Sequence, residues 1–306
     1  MSRIYEALQR ADRERMATPL SDGNRADGSA VIPEFDEPSI GVAIAFEDIV
    51  PQPWQVSLTA FPSLADHGLG IEQFRSLRSR LYQARYETPL KTILISSGSP
   101  SEGKSFVAAN LAVSFARNGA NRVLLIDGDL RRSTLHRLFG APNTQGLSDY
   151  LSGTVDLDAV LQREDTPGQT TRGAAALANL ALISAGTVGN SSPELVTNRR
   201  FDELIAAASP YFDWIVIDSP PVLAVTDAVE LARAADAVLL VARWGRTSFE
   251  VIQRTQAVFS KSRILGFVLN DAKEAQRSAS QYDYYYYGGP EAEKQVKSRK
   301  SRRRQK

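Results

Sequence analysis

The sequence predicts an α/β fold in which a mostly parallel β-sheet is covered by helices on both faces. Two observations lead there. Short β-branched runs alternate with helical runs along the body of the chain, the pattern of strands linked by crossover helices. Two of those strands end in carboxylates and a third runs into a glycine-rich turn, and strand carboxyl ends are where open α/β sheets gather their ligands. At 306 residues the chain can bury one sizeable core and still carry flexible ends.

The elements follow in order. Ser2 caps an amphipathic helix over residues 1–17, with Ile4, Leu8 and Ala11 spaced i, i+4 and i+7. Residues 18–69 are rich in Pro, Gly, Asp and Ser, keep no period and read as a flexible linker, in which Trp54 and Phe61 could dock locally. The helical period returns from Ile71 with Phe74, Leu77 and Leu81 and stops at Thr88-Pro89. The body, residues 70–275, then reads as strand 91–96, helix 104–117, strands 122–126 and 180–183, helix 193–208 and strand 214–217. Helix 226–234, strand 237–242, helix 247–260 and strand 264–269 complete it. Residues 164–176 read as a flexible surface loop, and residues 276–306 as a disordered tail, rich in tyrosine and then in basic residues.

Composition narrows the chemistry. The absence of cysteine excludes disulfides, Cys-ligated zinc and a thiol nucleophile, and two histidines, His67 and His136, leave little for a His-based site. No apolar run approaches the ~20 residues that cross a bilayer, and no apolar segment follows the first basic residues, so a cytoplasmic protein is expected. The net charge of +1 conceals eight Lys/Arg and no acid in residues 294–306, over a body of −7. Such a tail is either a solvated end or an attachment to anionic lipid at the inner face of the membrane. No second feature supports nucleic acid as a partner.

Strand 91–96 leads into Gly98-Ser99-Pro100-Ser101-Glu102-Gly103-Lys104-Ser105 and then a helix, which is G-x-x-x-x-G-K-S in its strand-loop-helix context. Backbone N–H groups and the helix dipole can wrap a polyphosphate, Lys104 can reach β/γ-oxygens, and the Ser105 hydroxyl can ligate Mg²⁺. A serine at position 101 predicts an ordinary backbone conformation there. Strand 122–126 ends in Asp127-Gly128-Asp129-Leu130-Arg131, and strand 214–217 in Asp218-Ser219-Pro220-Pro221. Asp218 reads as the acid of the Mg²⁺ shell and Asp127 as a proton acceptor or water-orienting group; helix N-caps are the plainer alternative.

Together these motifs resemble the bacterial tyrosine kinases of capsule and exopolysaccharide synthesis, a branch of the MinD/ParA-type P-loop ATPases. The resemblance spans roughly residues 70–290. It includes Ser97 to Ser105, Asp127, Asp129 and Arg131, the IVIDSPP run with Asp227 downstream, Gly186 with Ser192 to Leu195, Asn270, and the tyrosines of QYDYYYYGG. It implies ATP and Mg²⁺ bound by Gly98 through Phe106 with Asn270 near the adenine, and a catalytic and Mg²⁺ centre of Lys104, Ser105, Asp127, Asp129 and Asp218, with Asp127 as base. Glu72, Arg75 and Arg78 match the E-x-x-R-x-x-R motif tied to ring assembly, and an ordinary solvated helix face is the alternative. Tyr282, Tyr284, Tyr285, Tyr286 and Tyr287 become the autophosphorylation sites, presented to a neighbouring subunit. A separate membrane adaptor of the polysaccharide export machinery is the implied activator. Two rival readings stay open: a MinD/ParA-like ATPase switch without kinase activity, and a nucleotide-gated scaffold.

Overall fold

The computed structural model describes residues 46–272, apart from 57, 66–67, 118, 120, 166–176, 188–194 and 196–198. The expected N-terminal helix, most of the 164–176 loop, Ser192 to Glu194 and the tyrosine-rich and basic tail lie outside the described residues.

Among the described residues eight strands form one sheet: β1 (Pro51–Gln52), β2 (Thr92–Ser97), β3 (Val123–Asp127), β4 (Leu161–Glu164), β5 (Leu180–Ile183), β6 (Trp214–Asp218), β7 (Ala237–Arg243) and β8 (Ile264–Asn270). Their order is β1-β4-β5-β3-β6-β2-β7-β8, and every pairing is parallel except β4 with β5. Among the described residues eight α-helices accompany them: α1 (Leu69–Glu87), α2 (Lys104–Ala116), α3 (Leu135–Phe139), α4 (Leu147–Leu151), α5 (Leu157–Val160), α6 (Arg200–Ala208), α7 (Asp227–Arg233) and α8 (Phe249–Val258).

The central strands β2, β3 and β6 are buried at every position because both faces are covered, and they are apolar except at Thr92, Ser96, Ser97 and the terminal Asp127 and Asp218. Successive residues send alternate side chains to opposite faces. Ile93, Ile95, Val123, Leu125, Trp214 and Val216 pack with Phe74 of α1 and Val107, Leu111 and Phe115 of α2. Leu94, Leu124, Ile126, Ile215 and Ile217 pack with Phe201 and Leu204 of α6 and Leu231 of α7. Trp214 anchors the first face: its ring stacks on Phe115 at 4.2 Å and 9°, and the Arg85 guanidinium lies 4.7 Å above it.

Three sequence expectations change. Much of the linker expected over 18–69 is packed from Phe46 to Leu64. Phe46, Ile49, Trp54, Phe61 and Leu64 are buried, and β1 pairs with β4. Phe46 and Ile49 join the cluster on one face of the sheet and Trp54, Phe61 and Leu64 that on the other, from irregular backbone in which no period announces them. Glu164, placed by sequence in the flexible loop, instead closes β4. Strand β4 carries Leu-Gln-Arg-Glu, which has no strand signature, and is held partly by Gln162, which accepts from Trp54 Nε1 at 3.3 Å and donates to the Pro142 carbonyl at 3.1 Å. The short helices α3, α4 and α5 were not expected, since five residues or fewer cannot display a helical period.

Candidate active site

Strand β2 delivers the chain to the glycine-rich loop and α2 carries it away. Gly103 is the N-cap of α2 with φ +94°. A Cβ there would fall 1.9 Å from Asn270 Nδ2, so both conformation and close approach demand glycine. Ser101 overturns its expectation, for it adopts the left-handed region at φ 62°. A residue with a Cβ costs about 1 kcal/mol there, and the surroundings hold it in place.

Those surroundings form a brace that the sequence reading missed. The buried Glu102 carboxylate accepts the Ser99 N–H at 2.9 Å and the Thr247 hydroxyl. The Thr247 hydroxyl oxygen accepts the Arg243 N–H at 2.8 Å. Arg243 donates to the Ser101 carbonyl at 3.2 Å and pairs with Asp271 at 2.8 Å. Asn270 donates to the Glu102 carbonyl at 3.0 Å, so its described contact is with the loop itself. It also lines a cavity of about 930 Å³ between α1, the start of α2 and the end of β8. Glu102 and Thr247 are 145 residues apart, and only the adjacency of β2, β7 and β8 brings them together.

At the centre, Lys104 Nζ lies 2.9 Å from Asp129 Oδ2, 4.0 Å from Asp218 Oδ1 and 3.3 Å from Ser105 Oγ. Burial opposes the lysine's charge, but Asp218 and then Asp129 outweigh it and raise its pKa. Asp127 and Asp218 end adjacent strands as direct register partners, and both are wholly buried. Burial pushes Asp127 up to about 7, with Asp218 adding repulsion and the N–H groups of Leu135 and Thr134 opposing. Burial likewise raises Asp218 to about 6 against the pull of Lys104 and the Ser105 hydroxyl.

The three carboxylates are differently committed. Asp127 Oδ2 accepts the N–H groups of Thr134 at 3.1 Å and Leu135 at 3.0 Å, so from the end of β3 it satisfies the first donors of α3, whose N-cap position is held by Thr134 and not by an aspartate. Asp129 Oδ1 accepts the Arg132 N–H at 3.0 Å while its other oxygen holds Lys104. Neither oxygen of Asp218 receives a hydrogen bond of ordinary geometry. A buried carboxylate in that state invites a cation. Mg²⁺ takes one or two carboxylates together with phosphate oxygens and water, so Asp218 and Ser105 are a fitting donor pair. No group of three or more acidic or histidine side chains forms a metal cage among the described residues. The four-residue set Ser105, Asp127, Asp129 and Asp218 is therefore not assembled as one cage.

A cavity of about 620 Å³ opens over this centre. Pro100, Ser101, Gly103, Lys104, Ser105, Phe106 and Asp129 line it, joined by arginines from the segment after β3 and by Leu138, Pro220, Pro221 and Val225. Asp127 and Asp218 do not line it. Of the expected assembly residues, Glu72 and Arg75 pair with each other at 2.5 Å on the surface of α1. Arg78 turns inward and donates to the Ser114 carbonyl near the end of α2, satisfying a helix-terminal acceptor.

Residues 93–290 match the CobQ/CobB/MinD/ParA nucleotide binding domain family. The tyrosine-protein kinase YwqD of Bacillus subtilis is 35% identical over 222 residues, covering 72% of this chain and 87% of that protein. The tyrosine-protein kinase Wzc of Salmonella typhimurium is 36% identical over 221 residues, 72% of this chain, and the match spans only 29% of Wzc. Among solved structures, the kinase domain of the Escherichia coli tyrosine kinase ETK superposes with a TM-score of 0.59 at 33% identity, covering 66% of this chain and 75% of that domain. With its glycine-rich loop, strand-end carboxylates and doubly covered sheet, this chain belongs to the bacterial tyrosine kinase branch of the CobQ/CobB/MinD/ParA nucleotide-binding family.

Proposed function

We propose that the protein is a protein-tyrosine autokinase that transfers the γ-phosphoryl group of ATP to tyrosines of its own C-terminal segment. The observation that carries this reading is the convergence of Lys104, Ser105 and Asp129 on one cavity, with the Asp218 carboxylate, which receives no hydrogen bond of ordinary geometry, 4.0 Å from Lys104. An apolar wall of Leu138, Pro220, Pro221 and Val225 suits the ring of a tyrosine acceptor.

The residues divide the work. Lys104 exchanges part of its contact with Asp129 for the β/γ-phosphate oxygens, where its charge offsets the negative charge carried through the transition state. The backbone of Gly98 to Ser105, held by the Glu102–Thr247–Arg243 brace, fixes the phosphates, and positioning is most of what phosphoryl transfer needs. Asp218 and Ser105 would hold Mg²⁺, which supplies charge neutralisation at the phosphate oxygens when bound. The Pγ–O bond to ADP breaks as the tyrosine oxygen bonds to phosphorus, and the phenolic proton passes to Asp127. A carboxylate with a pKa near 7 suits that duty, and Thr134 and the 129–134 segment must yield for an acceptor to reach it.

Tyr282, Tyr284, Tyr285, Tyr286 and Tyr287 are the proposed acceptors, used between subunits of a ring in which Glu72, Arg75 and Arg78 take part. We place the activity in exopolysaccharide or capsule synthesis, switched by a separate membrane adaptor at the inner face of the membrane. No helix among the described residues is long and apolar enough to cross a bilayer. The deciding experiment changes all five tyrosines to Phe, which removes hydroxyls and keeps aromatic bulk. ATP binding should persist while phosphotyrosine, mapped by mass spectrometry with adaptor present, almost disappears. An unmodified wild-type tail under those conditions, with steady ATP hydrolysis, favours the MinD/ParA-like switch.

A further inference from the structure

The cavity holds more positive charge than the nucleotide chemistry uses. Beside Lys104 it is lined by Arg131, Arg132 and Arg137, and Asp129 is the one acid on its wall among the described residues. Asp129 is already engaged by Lys104 and by the Arg132 N–H. Arg131 has one nitrogen on Asp227 at 3.0 Å. Arg137 donates only to the Ser133 carbonyl, at 2.8 Å, and the Arg132 side chain meets no acid among the described residues. These arginines sit after β3 and on α3, outside the glycine-rich loop. The Thr134 hydroxyl between them is buried without a hydrogen-bond partner. Guanidinium groups are forks shaped for carboxylate and phosphate, and here they stand beside an apolar wall that would seat an aromatic ring.

Resting on the kinase reading, we infer that Arg132 and Arg137 select the acceptor, favouring tyrosines flanked by anionic groups: acidic side chains first, and phosphotyrosines once the first transfer has occurred. The chain's own segment fits. Residues 278–293 contain the five clustered tyrosines with Asp283, Glu291 and Glu293 and no Lys or Arg. Each phosphate adds roughly −1.5 to −2 charge at pH 7 and three acceptor oxygens. A singly phosphorylated run is therefore a better ligand for these arginines than an unmodified one, and modification should proceed along the run once begun.

The test uses the full chain with its five tail tyrosines changed to Phe, its adaptor, and peptides of the sequence 278–293. Three peptides are compared: native, one with Asp283→Asn, Glu291→Gln and Glu293→Gln, and one carrying a single phosphotyrosine at position 284. The neutral peptide should show a KM about tenfold higher than the native one, and the primed peptide a KM lower than the native. Arg132→Ala with Arg137→Ala should remove most of this spread while the KM for ATP stays put, and both side chains are exposed enough that folding is not at stake. Raising the salt should shrink the spread in the parent protein, as screening of exposed charges requires. Equal KM values for the three peptides, or a double variant that shifts the KM for ATP and leaves the peptide spread intact, overturns the inference while the kinase reading stands. Failure to phosphorylate any peptide, with ATP bound, overturns both.

Discussion

Replacing Lys104 by Met tests the electrostatics of the site before any nucleotide is present. Lys104 is the cation set among Asp127, Asp129 and Asp218, and its side chain is only 13% exposed. Removing one partner of a buried pair leaves uncompensated charge and costs up to 3–5 kcal/mol. The cavity admits water on one side, so about 3 kcal/mol is expected at pH 8, or roughly 6–12 °C in Tm for a domain of this size. The sign with pH follows from linkage. Without the lysine, the folded pKa values of Asp127 and Asp218 rise further above their unfolded values, so the folded state binds more protons and its stability falls as pH rises. The penalty should therefore be smaller at pH 6, where protonation relieves the repulsion, and larger at pH 8. Urea unfolding of nucleotide-free wild type and Lys104→Met at the two pH values measures it. Asp129→Asn in the Lys104→Met background should recover about half of the loss at pH 8. A loss that is the same at both pH values, or no recovery on neutralising Asp129, would refute the buried-charge reasoning; phosphotyrosine that persists in Lys104→Met would refute the assignment of the kinase site.

Three further predictions concern conformation, proton transfer and assembly. Ser101→Gly should stabilise the protein by about 0.5 kcal/mol, the relief of a left-handed φ less the entropy of the extra glycine; the β-branched Ser101→Val should cost more than 1 kcal/mol, both read from urea midpoints. Asp127→Asn should keep most ATP affinity and cut phosphotyrosine formation by about 100-fold, a typical general-base contribution, whereas an effect confined to Asp129→Asn in single-turnover assays would move the proton acceptor to Asp129. Alanine at Glu72, Arg75 and Arg78 together should shift the particle mass toward the monomer in light scattering, and Arg78→Ala alone should cost about 1 kcal/mol of stability, because the Ser114 carbonyl loses its donor.

The sequence by itself determined the sheet and the loop. Parallel strands buried on both faces read as nearly unbroken apolar runs, and helices of nine residues or more display their period, so β2, β3, β5, β6, β7 and most of the longer helices were legible from local pattern alone; β8 is partly exposed but still carries an apolar run from Ile264 to Leu269. Glycine-lysine-serine between a strand and a helix, and aspartates at strand ends, are local signals too. What only the tertiary structure decided is who meets whom. The packing of Phe46 to Leu64, strand β4, and the Glu102–Thr247–Arg243–Asp271 brace arise from contacts between segments distant in sequence, such as Trp54 with Gln162 and Glu102 with Thr247, and no periodic pattern encodes such a contact. Ser101 is the sharpest case. Its identity argues for ordinary backbone, and the bonds that Arg243 makes from β7 and Glu102 makes within the loop and to Thr247 hold the left-handed turn that the local residue disfavours, because their combined hydrogen bonds outweigh about 1 kcal/mol of strain.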